Sequence, residues 1–272
     1  MMAPFRLNLS SRARELSRGD AVVVSIPKSG RTWLRTFLCA YFCERAGLPF
    51  TLEPEKYAAG GIPRIIYTHD LFEERMKADR WDRLRGKYRI PARALRRTRI
   101  ILLARDPRDA FVSHYVQLVR RSADTPGELK RRTISDLLHD RAFGIQAIVE
   151  TMNEWLREFS RRENFTLVRY ESLRADPEKV FRELLVALGE LSPKPEPFAQ
   201  ALRFSDFENM KKMEAAAAFD SKILLPGDVK DPESFKVRRG KVGGYREYLS
   251  AEDQQYAAVA VKRLDARFGY RS

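Results

Sequence analysis

Val22–Trp33 reads VVVSIPKSGRTW, a β-branched apolar run that passes through a short Lys-Ser-Gly loop into an apolar-periodic segment. No other stretch constrains the fold as much. It predicts a buried strand, a tight loop and a helix opening at Arg31–Thr32. Such a turn gathers backbone N–H groups and a helix N-terminus at one point, a setting that suits a phosphate or sulfate oxygen.

Laid over the nucleotide-binding pattern G-x-x-x-x-G-K-[ST], Ser25 replaces the first glycine and Gly30 keeps the second. Arg31 stands where the lysine belongs, Thr32 keeps the hydroxyl, and the lysine has moved into the loop as Lys28. No acidic residue at a neighbouring strand end is placed as an ATPase places one to hold magnesium. The loop therefore reads as an anion site with no metal required. An ordinary strand-to-helix turn is the plain alternative.

Apolar runs of strand length alternate with longer amphipathic segments, the pattern of an α/β fold with a central parallel sheet flanked by helices. Strands are expected at Ala21–Ile26, Ile65–Thr68, Ile100–Ala104 and Thr166–Val168, and helices at Thr32–Arg45, Arg108–Arg120, Ser135–Phe159, Pro177–Leu188 and Ala251–Arg267. Pro177 after Asp176 is a first-turn signal. Arg121–Arg132 and Ala215–Tyr245 read as mobile loops. The motifs run from Lys28 to Gly240 without an internal repeat, so a single domain over residues 1–272 is expected, with 1–19 as a flexible leading segment.

The chain has 44% hydrophobic and 11% aromatic residues, a globular composition. It contains no apolar stretch of about 18 residues and no apolar run ahead of its first charges, so neither a membrane span nor a secretory signal is expected. Cys39 and Cys43, four apart on one helix, read as reduced core residues and fit a cytoplasmic setting. A net charge of +14 suggests an anionic partner. The densest basic cluster, Arg83–Arg99, holds a single aromatic, Tyr88, too few for a base-stacking platform, so nucleic acid is set aside.

Three further motifs carry chemistry. In Ile100–His114, IILLARDPRDAFVSH, a buried strand delivers Arg105 to the sheet edge where ligands collect, and the following helix carries Ser113. A guanidinium binds phosphate bidentately and a hydroxyl adds a donor, although Arg105 could instead pair with Asp106 or Asp109. In Arg64–Asp70, RIIYTHD, a strand delivers His69 to the same edge, where neutral imidazole can take a proton from a hydroxyl; a structural histidine is the alternative. His114 and His139 read as helix-surface or core positions. In Ser234–Tyr248, Arg238, Arg239 and Gly240 form a basic clamp, with a solvated charged loop as its alternative, and Gly243–Gly244 supply hinge freedom.

Together these features resemble the cytosolic-type sulfotransferases, which use 3′-phosphoadenosine 5′-phosphosulfate (PAPS). PKSGRTW is similar to their 5′-phosphosulfate loop, Arg105 with Ser113 to their 3′-phosphate motif, Thr68–Asp70 to the segment carrying their base, and Phe235–Tyr245 to their C-terminal loop. The resemblance implies a P-loop-like nucleotide-binding fold, PAPS as sulfate donor without a metal, and His69, Lys28 and Ser113 as catalytic residues. It implies that the cofactor's 5′ end is bound by Lys28, Ser29, Gly30, Arg31 and Thr32, with the backbone N–H groups of Ser29–Thr32 on the 5′-phosphate and Lys28 on the bridging oxygen. Arg105, Ser113, Arg238, Arg239 and Gly240 would hold the 3′-phosphate, and Trp33, Tyr170 and Phe207 would enclose adenine.

This chain departs from the family pattern at Tyr67, where lysine is frequent, at Arg239 for lysine, and at Gly244–Tyr245 for Asp-Trp. No match to the family's short dimerising segment is found, which leaves the oligomeric state open. The acceptor would carry a hydroxyl or amine on a small molecule, carbohydrate, lipid or peptide. Its pocket is expected from Phe50–Arg64, Leu71–Lys87, Arg121–Arg132 and Ala215–Lys236, including Phe72, Met76, Trp81, Ile223 and Leu224. A magnesium-dependent nucleotide kinase or NTPase, and a non-catalytic nucleotide- or nucleic-acid-binding module, are the rival readings.

Overall fold

The computed structural model describes residues 15, 17–54, 57, 61–121, 125–218, 235–237 and 240–270. Arg238, Arg239, Ile223, Leu224 and nearly all of residues 1–19 lie outside the described residues.

The chain forms a single α/β domain around a four-stranded sheet in the order β2-β1-β3-β4. The strands are β1 Ala21–Ser25, β2 Ile65–Thr68, β3 Arg99–Ala104 and β4 Phe165–Arg169, all paired in parallel. Val22 stands opposite Ile66 on one side and Ile100 on the other, and Leu102 opposite Leu167. All four C-terminal ends therefore open on one edge. Side chains alternate across the sheet. Val22, Val24, Ile100 and Leu102 join a core with Phe72, Phe111, Trp155 and Phe268 on one face. Ala21, Val23, Ile101 and Leu103 join Phe37, Tyr41, Phe181 and Phe198 on the other. Burial on both faces is why these strands read as unbroken apolar runs.

Helix α1, Arg31–Arg45, packs its Leu34, Phe37, Leu38 and Tyr41 beneath the second face. Cys39 and Cys43 on it are buried free thiols, as their spacing suggests. After β2 come α2 Asp70–Lys77, α3 Arg80–Leu84 and α4 Ala92–Arg97, none of them visible as helices in the sequence because they are short and charged. After β3, α5 spans Pro107–Val116 and continues as a π-helical turn, Gln117–Arg121, rather than as regular helix to Arg120.

The expected loop 121–132 contains a one-turn helix, α6 Gly127–Lys130. The single long helix expected over Ser135–Phe159 is two: α7 Ile134–Leu138 and α8 Ile145–Phe159. Its apolar period runs across the break, but a Cβ on Gly144 would lie 2.4 Å from the Leu138 and Asp140 carbonyls. Only glycine admits that close turn. Helices α9 Tyr170–Ala175, α10 Pro177–Ala187, α11 Pro195–Phe204 and α12 Phe207–Ala215 follow β4. The last, α13, stops at Lys262 rather than Arg267, and Ala266–Phe268 form a separate 3-10 turn.

Candidate active site

Between β1 and α1 the chain turns through two left-handed residues, Lys28 with φ 70 and Gly30 with φ 94. Gly30 is required twice over, since a Cβ there would also lie 2.6 Å from the Tyr170 ring. Gly30 at the N-cap brings no side chain to cap α1, and a helix N-terminus so placed suits an anion. Ser29 is fully buried, and its Oγ has no hydrogen-bond partner among the described residues.

Arg105 at the end of β3 reaches back over this loop. It donates to the Lys28 carbonyl at 2.8 Å and to the Lys241 carbonyl at 3.2 Å, and its guanidinium lies 4.4 Å from the Tyr170 ring centroid. Its Nε is buried without a partner among the described residues. The alternative pairing with Asp106 does not occur: Arg108 takes that carboxylate, with its shortest contact at 2.6 Å. Asp109 instead accepts the N–H groups of Gly243 at 2.7 Å and Tyr245 at 2.9 Å. Burial raises the Asp109 carboxyl above its ordinary value, against the pull of Arg105 and those two N–H groups.

On the far side of Gly240, the buried Glu214 of α12 accepts from the N–H groups of Lys236 at 2.6 Å and Val237 at 2.8 Å. Two carboxylates thus tether the C-terminal segment either side of Gly240, which has φ 58 and sits against the Phe207 ring. Trp33 meets Tyr170 edge-on at 6.2 Å, and the Arg174 guanidinium lies over both Trp33 and Phe207.

His69 follows β2 and caps α2. Its Nδ1 is 2.7 Å from the Ser25 carbonyl. A carbonyl only accepts, so Nδ1 carries the hydrogen, which leaves Nε2 as the nitrogen for any lone pair of the ring. The next residue fixes this placement. Asp70 is fully buried with a left-handed φ of 39, and its carboxylate accepts from Ile90 N–H at 2.7 Å and from Trp155 Nε1 at 2.8 Å. A non-glycine residue holds such a conformation only where its surroundings over-determine it.

These elements enclose one cavity of about 750 Å³, lined among others by Lys28, Gly30, Arg31, Thr32, Trp33, His69, Arg105, Ser113, Tyr170, Phe207 and Gly240. Of the sequence-derived site residues, Ser29 is buried behind the lining, and Arg238 and Arg239 lie outside the described residues. The opposite wall holds Phe72, Met76, Val112, Leu118, Leu129 and Tyr248.

Two expectations need correction, and a third residue shows more than its expectation said. None of the described residues of Phe50–Arg64 lines the cavity; Phe50 packs on Phe204 at 4.4 Å. Trp81 is 67% exposed on α3, away from it. His114, read as a helix-surface or core residue, is buried but lines the cavity, and burial, then the nearby Lys28 charge, push its imidazole down to about 4. Tyr67, where the family pattern has lysine, also lines the cavity, and the Arg35 guanidinium lies 4.9 Å from its ring centroid. Among the described residues no cluster of His, Cys, Asp or Glu is arranged to hold a metal ion, and no helix is long and apolar enough to cross a membrane.

A 3-beta-hydroxysteroid sulfotransferase of Cavia porcellus is 26% identical over 90% of this chain and 83% of its own length. Cytosolic sulfotransferase 15 of Arabidopsis thaliana is 25% identical over 89% and 70%. Mouse sulfotransferase SULT7A1, solved complexed with PAP, superposes with a TM-score of 0.60 at 18% identity, covering 94% of this chain and 88% of that one. Retinol dehydratase, solved with androsterone and the inactive cofactor PAP, gives 0.56 at 16% identity over 89% and 79%. These two share the fold. A family model described as a sulfotransferase domain matches residues 18–267, every strand that opens on the cavity included, and the chain belongs to the sulfotransferase family.

Proposed function

We propose that this enzyme moves the sulfuryl group of PAPS to a hydroxyl of a small-molecule acceptor, with His69 as general base. The observation that carries the reading is the meeting of three strand ends on one cavity: the Lys28 loop from β1, His69 from β2 and Arg105 from β3. The residues present fit the donor. A helix N-terminus without a side-chain cap, the orphaned Arg105 Nε and the tethered Gly240 segment together suit an anion. PAP in the solved relatives, and the hydroxysteroid names of others, support both substrates.

When bound, PAPS supplies the sulfuryl group: acceptor oxygen bonds to sulfur while the bond from sulfur to the 5′-phosphate oxygen breaks, its electron pair passing to that oxygen. The residues of this chain do the rest by position and charge. His69 Nε2 takes the acceptor proton, and the Ser25 carbonyl, bonded to Nδ1, stabilises the imidazolium that results. The Lys28 ammonium offsets charge on the departing oxygen. The first-turn N–H groups of α1, with its dipole, hold the 5′-phosphate. Arg105, Ser113 and Gly240, with Arg238 and Arg239, hold the 3′-phosphate, and Trp33, Tyr170 and Phe207 enclose adenine. Arg31 in place of the usual lysine disfavours the kinase or NTPase alternative.

The test is His69→Ala, assayed with labelled PAPS and a panel of alcohols and phenols. Turnover falls by roughly two to four orders of magnitude, as loss of a general base implies, while calorimetry still detects PAP. Near-wild-type turnover would remove His69 from the role. Magnesium-dependent ATP turnover without sulfate transfer would favour the kinase reading.

A further inference from the structure

We propose that His114 reads the acceptor, hydrogen-bonding a second polar group, a hydroxyl or carbonyl, adjacent to the hydroxyl that is sulfated. The proposal rests on the sulfotransferase reading above and narrows its acceptor to molecules with two neighbouring oxygen functions on an apolar frame.

His114 is only 5% exposed, and its ring opens on the cavity. A polar side chain so placed pairs with what the cavity holds, water or ligand.

The packing says which one. The His114 ring meets Phe72 edge-on at 5.9 Å, and Phe72 stands on α2, the helix that His69 caps. Phe72 and Val112 belong to the core on one face of the sheet, with Met76, Leu129 and Tyr248 packed against it. Trp33 and Phe207, which would enclose adenine, pack with Met210 and Val237 in a separate cluster. His114 therefore faces the acceptor side, among apolar neighbours.

Its charge state says what it can recognise. Burial and the Lys28 ammonium hold the imidazole neutral at pH 7, with one donor and one acceptor nitrogen. That pairs with a hydroxyl or carbonyl rather than with a carboxylate or phosphate. It also makes His114 too weak a base for the proton-transfer step, and no backbone carbonyl orients it as Ser25 orients His69. One imidazole moves the proton; the other selects the molecule.

The test uses matched pairs, catechol against phenol and cyclohexane-1,2-diol against cyclohexanol, each with labelled PAPS. The same pairs are titrated calorimetrically into the protein–PAP complex. Wild-type kcat/KM favours the two-oxygen member by roughly tenfold, the worth of one buried hydrogen bond, beyond the statistical advantage of a second hydroxyl. In His114→Phe the ratio collapses toward that statistical value, and His114→Gln, which keeps a neutral donor and acceptor, restores part of it. Equal ratios in wild type and His114→Phe, or transfer with no discrimination, would overturn the role of His114 and leave the reaction standing. Discrimination in binding without any sulfate transfer would keep that role and overturn the reaction.

Discussion

Lowering the pH should unfold this enzyme partly through His114, by an amount the structure allows to be worked out. The imidazole lies at about 4 in the folded chain against an ordinary 6.5. Between those values the unfolded chain binds a proton that the folded chain refuses, so stability falls as pH drops from 6.5 to 4 and is level on either side. At about 1.4 kcal/mol per pH unit, the interval is worth roughly 3 kcal/mol, a large share of the stability of a typical domain. Urea unfolding of wild type and His114→Gln, followed from pH 7.5 down to about pH 4, isolates this contribution, because every other titrating group is common to both proteins. The wild-type curve loses roughly 3 kcal/mol more than the variant over that range. Since Lys28 contributes to the depression, Lys28→Met narrows the gap from the wild-type side. Parallel curves for wild type and His114→Gln would refute the reasoning and place a neutralising partner or water access at the ring.

Three other outcomes follow from the site. Lys28→Ala lowers kcat far more than it raises KM for PAPS, because its interaction strengthens as charge develops; a change confined to KM would make it a binding residue. Arg105→Ala weakens PAP by roughly tenfold to a hundredfold, as loss of charge-assisted hydrogen bonds implies, but adenosine 5′-phosphate much less; calorimetry showing equal losses would remove Arg105 from the 3′-phosphate. Glu214→Gln takes an acceptor oxygen from the Lys236 and Val237 N–H groups and raises the Kd for PAP roughly tenfold, an effect that calorimetry would deny if affinity held.

The parallel sheet was legible because its strands are apolar on both faces, and the strand-to-helix loop because Lys28, Gly30 and Thr32 fall within one turn. What sequence spacing could not carry was the third dimension. Tyr67 and Arg35 share the cavity through a side-chain stack that no periodicity announces. Asp109 and Glu214 read as ordinary helix charges, and become tethers only once segments more than a hundred and about twenty residues away fold against them. His114 is buried, one of the two placements expected of it, but that it also borders the cavity was hidden, because a polar residue on a buried helix face looks the same in sequence whether it meets core or cavity. The break at Gly144 was hidden by an apolar period that both flanking helices share.

The short peptide from the last residue of β1 to Lys28 has a further consequence through its carbonyls. Ser25 steadies the imidazole arriving from one neighbouring strand, and Lys28 steadies the guanidinium arriving from the other. A displacement of these few backbone atoms is therefore transmitted to both halves of the cavity at once. A ligand that shifts these atoms changes the affinity for its companion, and by thermodynamic reciprocity the companion changes its own by the same factor.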